Sequence, residues 1–341
     1  MSKRPTLADL AAAAGVSIAT VDRVLNSRHR VREPTAERVL GAAEAIGFHA
    51  APLLKRRLRA ETPVRAFGFL LQKPDAFYRQ LGADLEAATG RLASCRGRAV
   101  IEYVTELSPA AIAEALARLG EVAHAIGVVS VDHPRVAEAI ARLAEQGKPT
   151  FALLSDLTAE ARAGYVGRDN RKEGRTAAWL IAKAAPRPGK IGIIVGSHRY
   201  LCQETAEISF RAWLRENAPG FEPLEPLVNL DDSRLAHDAT LEMIAHHRDL
   251  VGLYICGGGM EGVIAAAREE ARARLAIVCN ELTAKSRAGL IDRVLTAVIH
   301  TPTALMAERA LEAMNQAIEV GSKATATQIV VPFELFLPTN I

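Results

Sequence analysis

The sequence has few cysteines and no long apolar run. Its four cysteines are dispersed over 341 residues, with no CxxC pair and no histidine at metal-ligand spacing: Cys95, Cys202, Cys256 and Cys279. No stretch reaches the roughly 18 uninterrupted apolar residues of a membrane span, and the N-terminal MSKRPTLADL has no apolar secretion segment. We therefore expect a cytoplasmic protein with no membrane partner, structural metal or disulfide framework.

Common signatures of catalysis are also absent. The chain holds no GxSxG, HExxH or Walker motif, and no carboxylate pair that the sequence could establish. We expect no catalytic residue and no enzymatic activity. With 49% hydrophobic residues the chain can still bury a large core, and its length predicts two or three compact units.

Residues 6–26, TLADLAAAAGVSIATVDRVLN, have the pattern of two short helices joined by a tight turn at Gly15. Apolar residues recur on both sides of this glycine at helical spacing: Leu7, Leu10, Ala11, Ala14, Val16, Val21, Val24 and Leu25. This pattern predicts a helix-turn-helix, although an ordinary α-helical bundle also contains such pairs.

The charge distribution favours the DNA-binding interpretation. Residues 1–60 contain eleven Lys or Arg against five Asp or Glu, whereas the remaining residues carry 31 basic and 34 acidic side chains. A basic head on a slightly acidic body is the electrostatic pattern of phosphate binding.

The second helix of the pair has a polar face free for DNA. Ser17 can cap this helix and donate to a phosphate. The outward positions are Ile18, Ala19, Thr20, Asp22, Arg23 and Asn26. Because the second helix of such a motif enters the major groove, Arg23 is best placed to bind O6 and N7 of guanine.

Beyond residue 60, short apolar runs alternate with helical patterns. The predicted strands are 66–71, 99–104, 125–131, 150–154, 191–195, 224–230, 251–256, 275–279 and 295–299. Such alternation predicts an α/β fold with parallel sheets wound with helices, and nine strands suggest two sheets. A break near 166–169 separates them.

Ligands of such sheets bind outside the carboxyl ends of the strands. The residues at these ends are Lys73, Phe77, Tyr78, Asp132, Ser155, Asp156, Asp169, Asn170, His198, Arg199, Glu204, Asn280, Glu281 and His300. Aromatic rings with carboxylates and amides suit a hydroxyl-rich small molecule, such as a sugar or polyol, although single residues also cap loops.

A glycine motif offers an alternative. Gly257, Gly259 and Gly262 in CGGGMEG form a GxGxxG between a strand and a helix, with Gly258 inside it and Glu281 near the end of the next strand. This arrangement is typical of a dinucleotide site, and it allows a cytosolic NAD(P)- or small-molecule-binding enzyme as the alternative function. The motif normally follows the first strand of its fold, however, and here it comes late. We expect no cofactor.

A family resemblance covers nearly the whole chain. Residues 6–26, continued by VREPTAERVLGAAEAIGF at 31–48, resemble the head of LacI/GalR-type repressors without a gap. The body resembles the periplasmic-binding-protein fold at SDL (155–157), YVGRDN with Gly174, and FELFLP near the C-terminus. The resemblance implies a repressor whose affinity for operator DNA is controlled by a small effector bound between two lobes.

The resemblance also implies a domain organisation and partners. It divides the chain into a head at 1–49, a hinge at 50–63 and an effector-binding and dimerisation domain at 64–341. The first lobe comprises about 64–165 plus 301–325, and the second about 166–299 plus 326–341. The implied assembly is a homodimer, or a tetramer, on a pseudo-palindromic operator.

By position, the resemblance assigns contacts with phosphates, or support of the head, to Thr6, Leu7, Ser17, Thr20, Asn26, Arg30, Arg32 and Thr35. It places Ile18, Ala19 and Arg23 against bases, where the first two suit thymine methyls. Three departures stand out. Asp22 replaces the usual serine and is expected to pair with Arg23 or a neighbouring arginine.

The second departure concerns the hinge, where the family inserts a leucine into the minor groove. Arg57 occupies that position and Leu58 follows it, so either residue can be the wedge, with Leu58 favoured. The third lies in ETAEISF, where sugar-binding relatives often present an arginine and this chain has Glu204 and Glu207. The sequence thus predicts a neutral or cationic ligand over an anionic one.

Overall fold

The computed structural model describes residues 5–26, 31, 33–54, 63–106, 108–270, 275–321 and 326–341. Contacts divide the chain into two units. The first comprises the chain up to Arg65 with Arg91–Gly97, and the second comprises Ala66–Gly90 with Arg98–Ile341. No helix among the described residues is both long and apolar enough to cross a membrane.

Among the described residues of the first unit are the helices α1 (Leu7–Ala14), α2 (Ile18–Asn26) and α3 (Glu33–Ala45), and residues 51–54 are also helical. Helix α1 begins with a capping box, in which Thr6 and Asp9 satisfy each other's backbone N–H groups. It ends at Gly15, whose φ of 62° is the left-handed conformation that glycine adopts without a steric penalty. Leu10, Val21 and Val39 are fully buried between the helices. The predicted helix-turn-helix is confirmed.

The second unit contains two sheets flanked by helices. The first sheet has the order β12-β5-β4-β3-β1-β2 and the second β13-β11-β10-β9-β6-β7, with β8 paired to β6. The strands are β1 (Val64–Gln72), β2 (Arg96–Val104), β3 (Ala125–Val128), β4 (Thr150–Leu153), β5 (Gly164–Gly167), β6 (Lys190–Val195), β7 (Glu222–Pro223), β8 (Leu227–Val228), β9 (Leu250–Ile255), β10 (Ala276–Asn280), β11 (Ala297–His300), β12 (Thr327–Val330) and β13 (Glu334–Phe336).

Helices connect most of these strands. They are α4 (Ala76–Arg91), α5 (Pro109–Val122), α6 (Pro134–Glu145), α7 (Asn170–Ala184), α8 (Leu201–Asn217), α9 (Ser233–His246), α10 (Met260–Glu269), α11 (Ala284–Ile291) and α12 (Thr303–Val320). On the second sheet, α7 and α8 pack on one face, and α9, α10 and α11 pack on the other. Because both faces are covered, all six residues of β9 are buried.

Parallel pairing dominates both sheets, as predicted. Strand β3 pairs in parallel with β1 and β4, and β9 pairs in parallel with β6 and β10. Strand β13 is antiparallel to β11. The α/β class and the two-sheet architecture are therefore confirmed.

Two differences from the prediction change the organisation of the sheets. The apolar run at 224–230 forms only the two-residue strand β8, and a second two-residue strand, β7, precedes it at Glu222–Pro223. Strand β12 pairs in parallel with β5 in the first sheet. Residues 327–330 thus belong to the first lobe, whereas the predicted boundary placed 326–341 in the second.

Candidate functional site

Helix α2 presents an exposed surface on the first unit. Val21 and Val24 face inward, whereas Ile18, Ala19, Arg23 and Asn26 are exposed. Ile18, an apolar residue, is 52% exposed on this surface. An exposed apolar position beside an arginine suits the edges of base pairs, where thymine offers a methyl group.

The start of α2 is fixed by Ser17. Its hydroxyl accepts a hydrogen bond from the backbone N–H of Thr20 at 3.1 Å and lies 2.9 Å from the hydroxyl of Thr20. The predicted cap is therefore present. Asp22 accepts a hydrogen bond from the side-chain amide of Asn26 at 2.7 Å. The pairing of Asp22 with Arg23 or a neighbouring arginine stays a prediction.

The other predicted DNA contacts lie around this surface or outside the described residues. Thr6 caps α1, Leu7 is 39% exposed, and Thr35 is half-buried on α3. Arg30, Arg32, Arg57 and Leu58 fall outside the described residues, so the choice between Arg57 and Leu58 as the minor-groove wedge stays a prediction.

The second unit contains a cavity of about 180 Å³ at the carboxyl ends of strands from both sheets. Seven of the residues predicted for an effector site line it: Lys73, Phe77, Tyr78, Ser155, Gly258, Asn280 and Glu281. These residues are far apart in the sequence, and they lie together because each is at or near the carboxyl end of a strand.

Five other residues predicted for the effector site lie outside this lining. Asp132 accepts hydrogen bonds from Thr158, Asp156 pairs with Arg162 at 2.7 Å, and Asp169 caps α7. His300 lies behind the cavity, 3.1 Å from Glu281, and Glu204 lies in the first turn of α8. For Asp132, Asp156, Asp169 and His300 these contacts favour structural roles, and a role of Glu204 in effector binding stays a prediction.

Sequence reasoning missed several lining residues. They include Asp75, Arg168, Tyr200, Cys202, Gln203 and Asp231. Arg168 directly follows β5, so the strand-end rule could have found it had the short run GYVG been taken as a strand. Asp231 follows a strand of only two residues, which apolar periodicity does not detect.

Arg168 forms the buried centre of a charge network on the cavity floor. Its guanidinium lies 3.1 Å from a carboxylate oxygen of Glu173 and 3.4 Å from one of Glu281. Asn280 and Tyr254 donate to Glu173 at 2.7 and 3.1 Å. These bonds fix the Asn280 side chain at the edge of the cavity.

Glu281 is held charged by its neighbours. Burial would raise the pKa of this carboxyl, but Arg168 and a hydrogen bond with His300 outweigh burial and hold it below its ordinary value. Thr301 donates to the same carboxylate through its backbone N–H at 3.0 Å and its hydroxyl at 2.7 Å. Glu281 is thus occupied by partners within the protein.

Strained backbone is concentrated around the cavity. Five described residues other than glycine have a positive φ, and four of them line it: Leu154, Leu230, Asp231 and Glu281. Each such conformation costs about 1–3 kcal/mol and persists only where the surrounding structure enforces it. Such concentration is typical of a binding site.

The glycine motif has an internal explanation. At Gly262 a Cβ would lie 1.8 Å from the carbonyl oxygen of Ser233, so the glycine allows α9 and α10 to pack closely. Gly259 has a φ of 88° at the start of α10. With Glu281 bound to Arg168, Thr301 and His300, the acid that a dinucleotide ribose requires is already engaged. The dinucleotide-enzyme alternative is not favoured.

Comparison with known proteins gives two family matches. Residues 6–50 match the bacterial regulatory proteins of the lacI family, and residues 105–323 match the periplasmic binding protein domain. A curated relative from Streptomyces limosus, an uncharacterized HTH-type transcriptional regulator in the aml 5' region, is 31% identical over 203 residues. That alignment covers 58% of this chain and 54% of the relative, so the chain spans about half the length of the curated relative it matches.

Solved structures show the same fold in the body. A solute binding protein of an ABC transporter from Agrobacterium vitis, bound with α-D-tagatopyranose, superposes with a TM-score of 0.74 at 17% identity, over 81% of this chain and 95% of that one. The arabinose binding protein AraP from Geobacillus stearothermophilus gives 0.68 at 15% identity, over 82% and 98%. Because its match at residues 105–323 covers more than half of the sequence, the chain belongs to the periplasmic binding protein domain family, and it carries an N-terminal lacI-family head.

Proposed function

We propose that this protein is a sequence-specific DNA-binding transcriptional repressor controlled by a small hydroxyl-rich effector. One observation carries the proposal: the same chain has an exposed helix suited to the major groove and, in its second unit, a cavity lined by polar and aromatic side chains. Helix α2 offers Arg23 and Ile18 to DNA, and the second unit offers polar and aromatic side chains to a ligand. The match of residues 6–50 to the lacI family supports the DNA-binding half.

The cavity suits a sugar or polyol. Phe77 and Tyr78 lie edge to face, with ring centroids 5.2 Å apart, and provide apolar surface for C–H groups. Asn280, Gln203 and Ser155 provide hydrogen-bonding groups beside them. Sugar-bound proteins among the solved structures with this fold support the same ligand class.

The regulator acts as a homodimer in this proposal. Two heads read the two halves of a pseudo-palindromic operator, and effector binding between the lobes changes how the heads engage it. Such a protein meets its DNA in the cytoplasm. The effector is bound without being chemically changed, so no catalytic residue is assigned.

A binding titration tests the DNA-binding half. The full chain is titrated against labelled DNA from upstream of its own gene and against random DNA of equal length, at several salt concentrations. We expect preference for the upstream DNA and an affinity that falls steeply as salt rises, because bound phosphates release counterions. Equal affinity for both DNAs would refute sequence-specific regulation.

A thermal-shift screen tests the effector half. A ligand that binds only the folded state raises the melting temperature. We expect neutral sugars, polyols or cationic compounds to raise it more than sugar phosphates, because carboxylates outnumber cationic side chains in the cavity lining. Stabilisation by phosphorylated compounds alone would contradict this ligand class.

A further inference from the structure

The cavity lining carries an excess of negative charge. Among its described residues, Asp75, Asp231 and Glu281 oppose Lys73 and Arg168. Arg168 is shared between Glu281 and Glu173, so its charge is already more than balanced by these two carboxylates. The lining as a whole repels an anion and attracts a cation.

Asp231 contributes a carboxylate to this lining from the second lobe. Its Oδ1 accepts a hydrogen bond from the backbone N–H of Gly258 at 2.7 Å. Burial raises the pKa of Asp231, while this hydrogen bond and Lys73 act in the opposite direction. Lys73 donates to the backbone carbonyl of Asp231 at 3.4 Å, so it lies beside this residue without a direct bond to its carboxylate.

Asp75 faces the same space from the first lobe. Its Oδ1 accepts a hydrogen bond from the backbone N–H of Tyr78 at 2.8 Å. Desolvation raises the pKa of Asp75 although this hydrogen bond lowers it. Burial also raises the pKa of Tyr78, and the nearby Tyr200, Asp231 and Asp75 raise it further. Two carboxylates from different lobes therefore lie around aromatic side chains.

Two buried polar atoms in the lining lack a partner among the described residues. The hydroxyl of Tyr200 and the Oδ1 of Asn280 are both enclosed, in residues that are 3% and 5% exposed. A buried polar group without a hydrogen bond is costly, so it marks a place where a ligand atom completes the structure. Tyr200 can donate to a hydroxyl oxygen, and Asn280 Oδ1 requires a donor.

We propose that the effector carries a protonated amine together with hydroxyl groups, as an amino sugar or amino polyol does. The ammonium lies between Asp75 and Asp231 against the ring of Tyr78, and the hydroxyls bond with Tyr200 and Asn280. Carboxylates and an aromatic face together are suited to an ammonium group. This inference rests on the proposed function and specifies the class of its effector.

The test is calorimetric titration of the full chain with matched probes. Glucosamine, galactosamine and mannosamine are each compared with the parent hexose and the corresponding uronate, at a pH where the amine is protonated. We expect one amine to bind about tenfold or more tightly than its parent, since charged hydrogen bonds are roughly twice as strong as neutral ones. Every uronate should bind more weakly than its parent. If no amine binds more tightly than its parent, the inference is overturned.

A pair of variants locates the effect. Asp231→Asn removes one charge from the cavity, and Asp232→Asn removes one from the adjacent residue, which caps α9 outside the lining. We expect Asp231→Asn to weaken amine binding about tenfold and hexose binding by a clearly smaller factor, because a hydroxyl loses only a hydrogen bond whereas an ammonium also loses its counter-charge. Asp232→Asn should change neither, because asparagine also caps helices well. Equal losses in both variants, or equal losses for amine and hexose, would overturn the inference.

Asp75→Asn should likewise weaken amine binding more than hexose binding, which tests the second carboxylate independently. Melting temperatures verify that all variants fold. Failure of the proposed function is observed separately. It would appear as equal binding to upstream and random DNA, whereas failure of this inference appears only in the ranking of the sugar probes.

Discussion

The guanidinium of Arg168 lies 3.1 Å from a carboxylate oxygen of Glu173, and both side chains are almost completely removed from solvent. Arg168 follows β5 of the first sheet, and Glu173 lies in the first turn of α7, which packs on the second sheet. The ion pair therefore links the two lobes at the floor of the cavity, where the chain crosses from one lobe to the other. Its removal leaves two buried carboxylates, Glu173 and Glu281, without their cation.

We expect Arg168→Met to lower the free energy of unfolding by about 3–5 kcal/mol, the usual cost of breaking a buried ion pair by removing one partner. Urea unfolding of the full chain measures this change. Arg175→Met is the matched control, because Arg175 pairs with Glu216 at 3.2 Å on the exposed surface. An exposed pair contributes less than about 1 kcal/mol. Similar losses in the two variants would contradict the buried-network argument.

The same network predicts a pH dependence. Burial acts to raise the pKa of Glu281, but Arg168 and His300 hold it below its ordinary value. In the native chain this depression stabilises the fold above the ordinary pKa of a glutamate, and the contribution is lost as pH falls. In Arg168→Met, burial dominates and the pKa of Glu281 rises. The charged carboxylate of Glu281 therefore destabilises that variant at neutral pH, and the destabilisation decreases as pH falls and the carboxyl group is protonated.

The difference in unfolding free energy between the native chain and Arg168→Met should therefore be larger at pH 7 than near pH 4. Urea unfolding of both proteins across this range checks the sign. A difference that stays constant with pH would mean that Arg168 acts through packing and not through charge.

How much of this site the sequence predicts depends on the elements that carry it. Lys73, Ser155 and Glu281 follow apolar runs and Asn280 ends one, so position in the sequence is enough to find them. Arg168 follows GYVG, in which two of the four residues are glycine, and Asp231 follows a strand of two residues, so apolar periodicity indicates neither strand.

Side-chain partners were the least predictable feature. Asp132, Asp156 and Asp169 have the residue type and the strand-end position expected of a ligand site, yet each is satisfied by a neighbouring loop or helix end. Position along a strand determines which edge of the sheet a residue occupies. It does not determine whether a nearby N–H or guanidinium forms a hydrogen bond with the side chain and so leaves it unable to bind a ligand. That outcome depends on the three-dimensional course of the loops.

The turn of the head provides a direct test of backbone conformation. Gly15 has a φ of 62° and open space around a would-be Cβ, so Gly15→Ala adds conformational strain without a clash. We expect it to destabilise the head by about 1 kcal/mol. Gly41 lies within α3 with equally open space, and Gly41→Ala should stabilise that helix by about 0.5–1 kcal/mol.

Amide hydrogen exchange within α1 and α3 of the full chain measures both effects without requiring a separate unfolding transition. Exchange should be faster in Gly15→Ala and slower in Gly41→Ala. Unchanged or slower exchange in Gly15→Ala would contradict the assigned left-handed turn.

The last prediction concerns how the head reads DNA. Arg23 is exposed on α2 next to the buried Val24, and its guanidinium can donate two hydrogen bonds to the edge of a guanine. Such a contact discriminates between bases by about 1–3 kcal/mol. We expect Arg23→Ala to abolish the preference for operator over random DNA, because its loss leaves mainly contacts that do not depend on sequence.

Arg38→Ala is the charge-matched control, since Arg38 is exposed on α3 of the same head but outside the recognition helix. Removing a charge from that position should weaken binding to operator and random DNA by the same factor, and the salt dependence should become slightly less steep. Parallel titrations of both variants on both DNAs separate base reading from phosphate attraction. If Arg23→Ala leaves the ratio of the two affinities unchanged, Arg23 does not read bases, and the recognition surface must be assigned to other residues of α2.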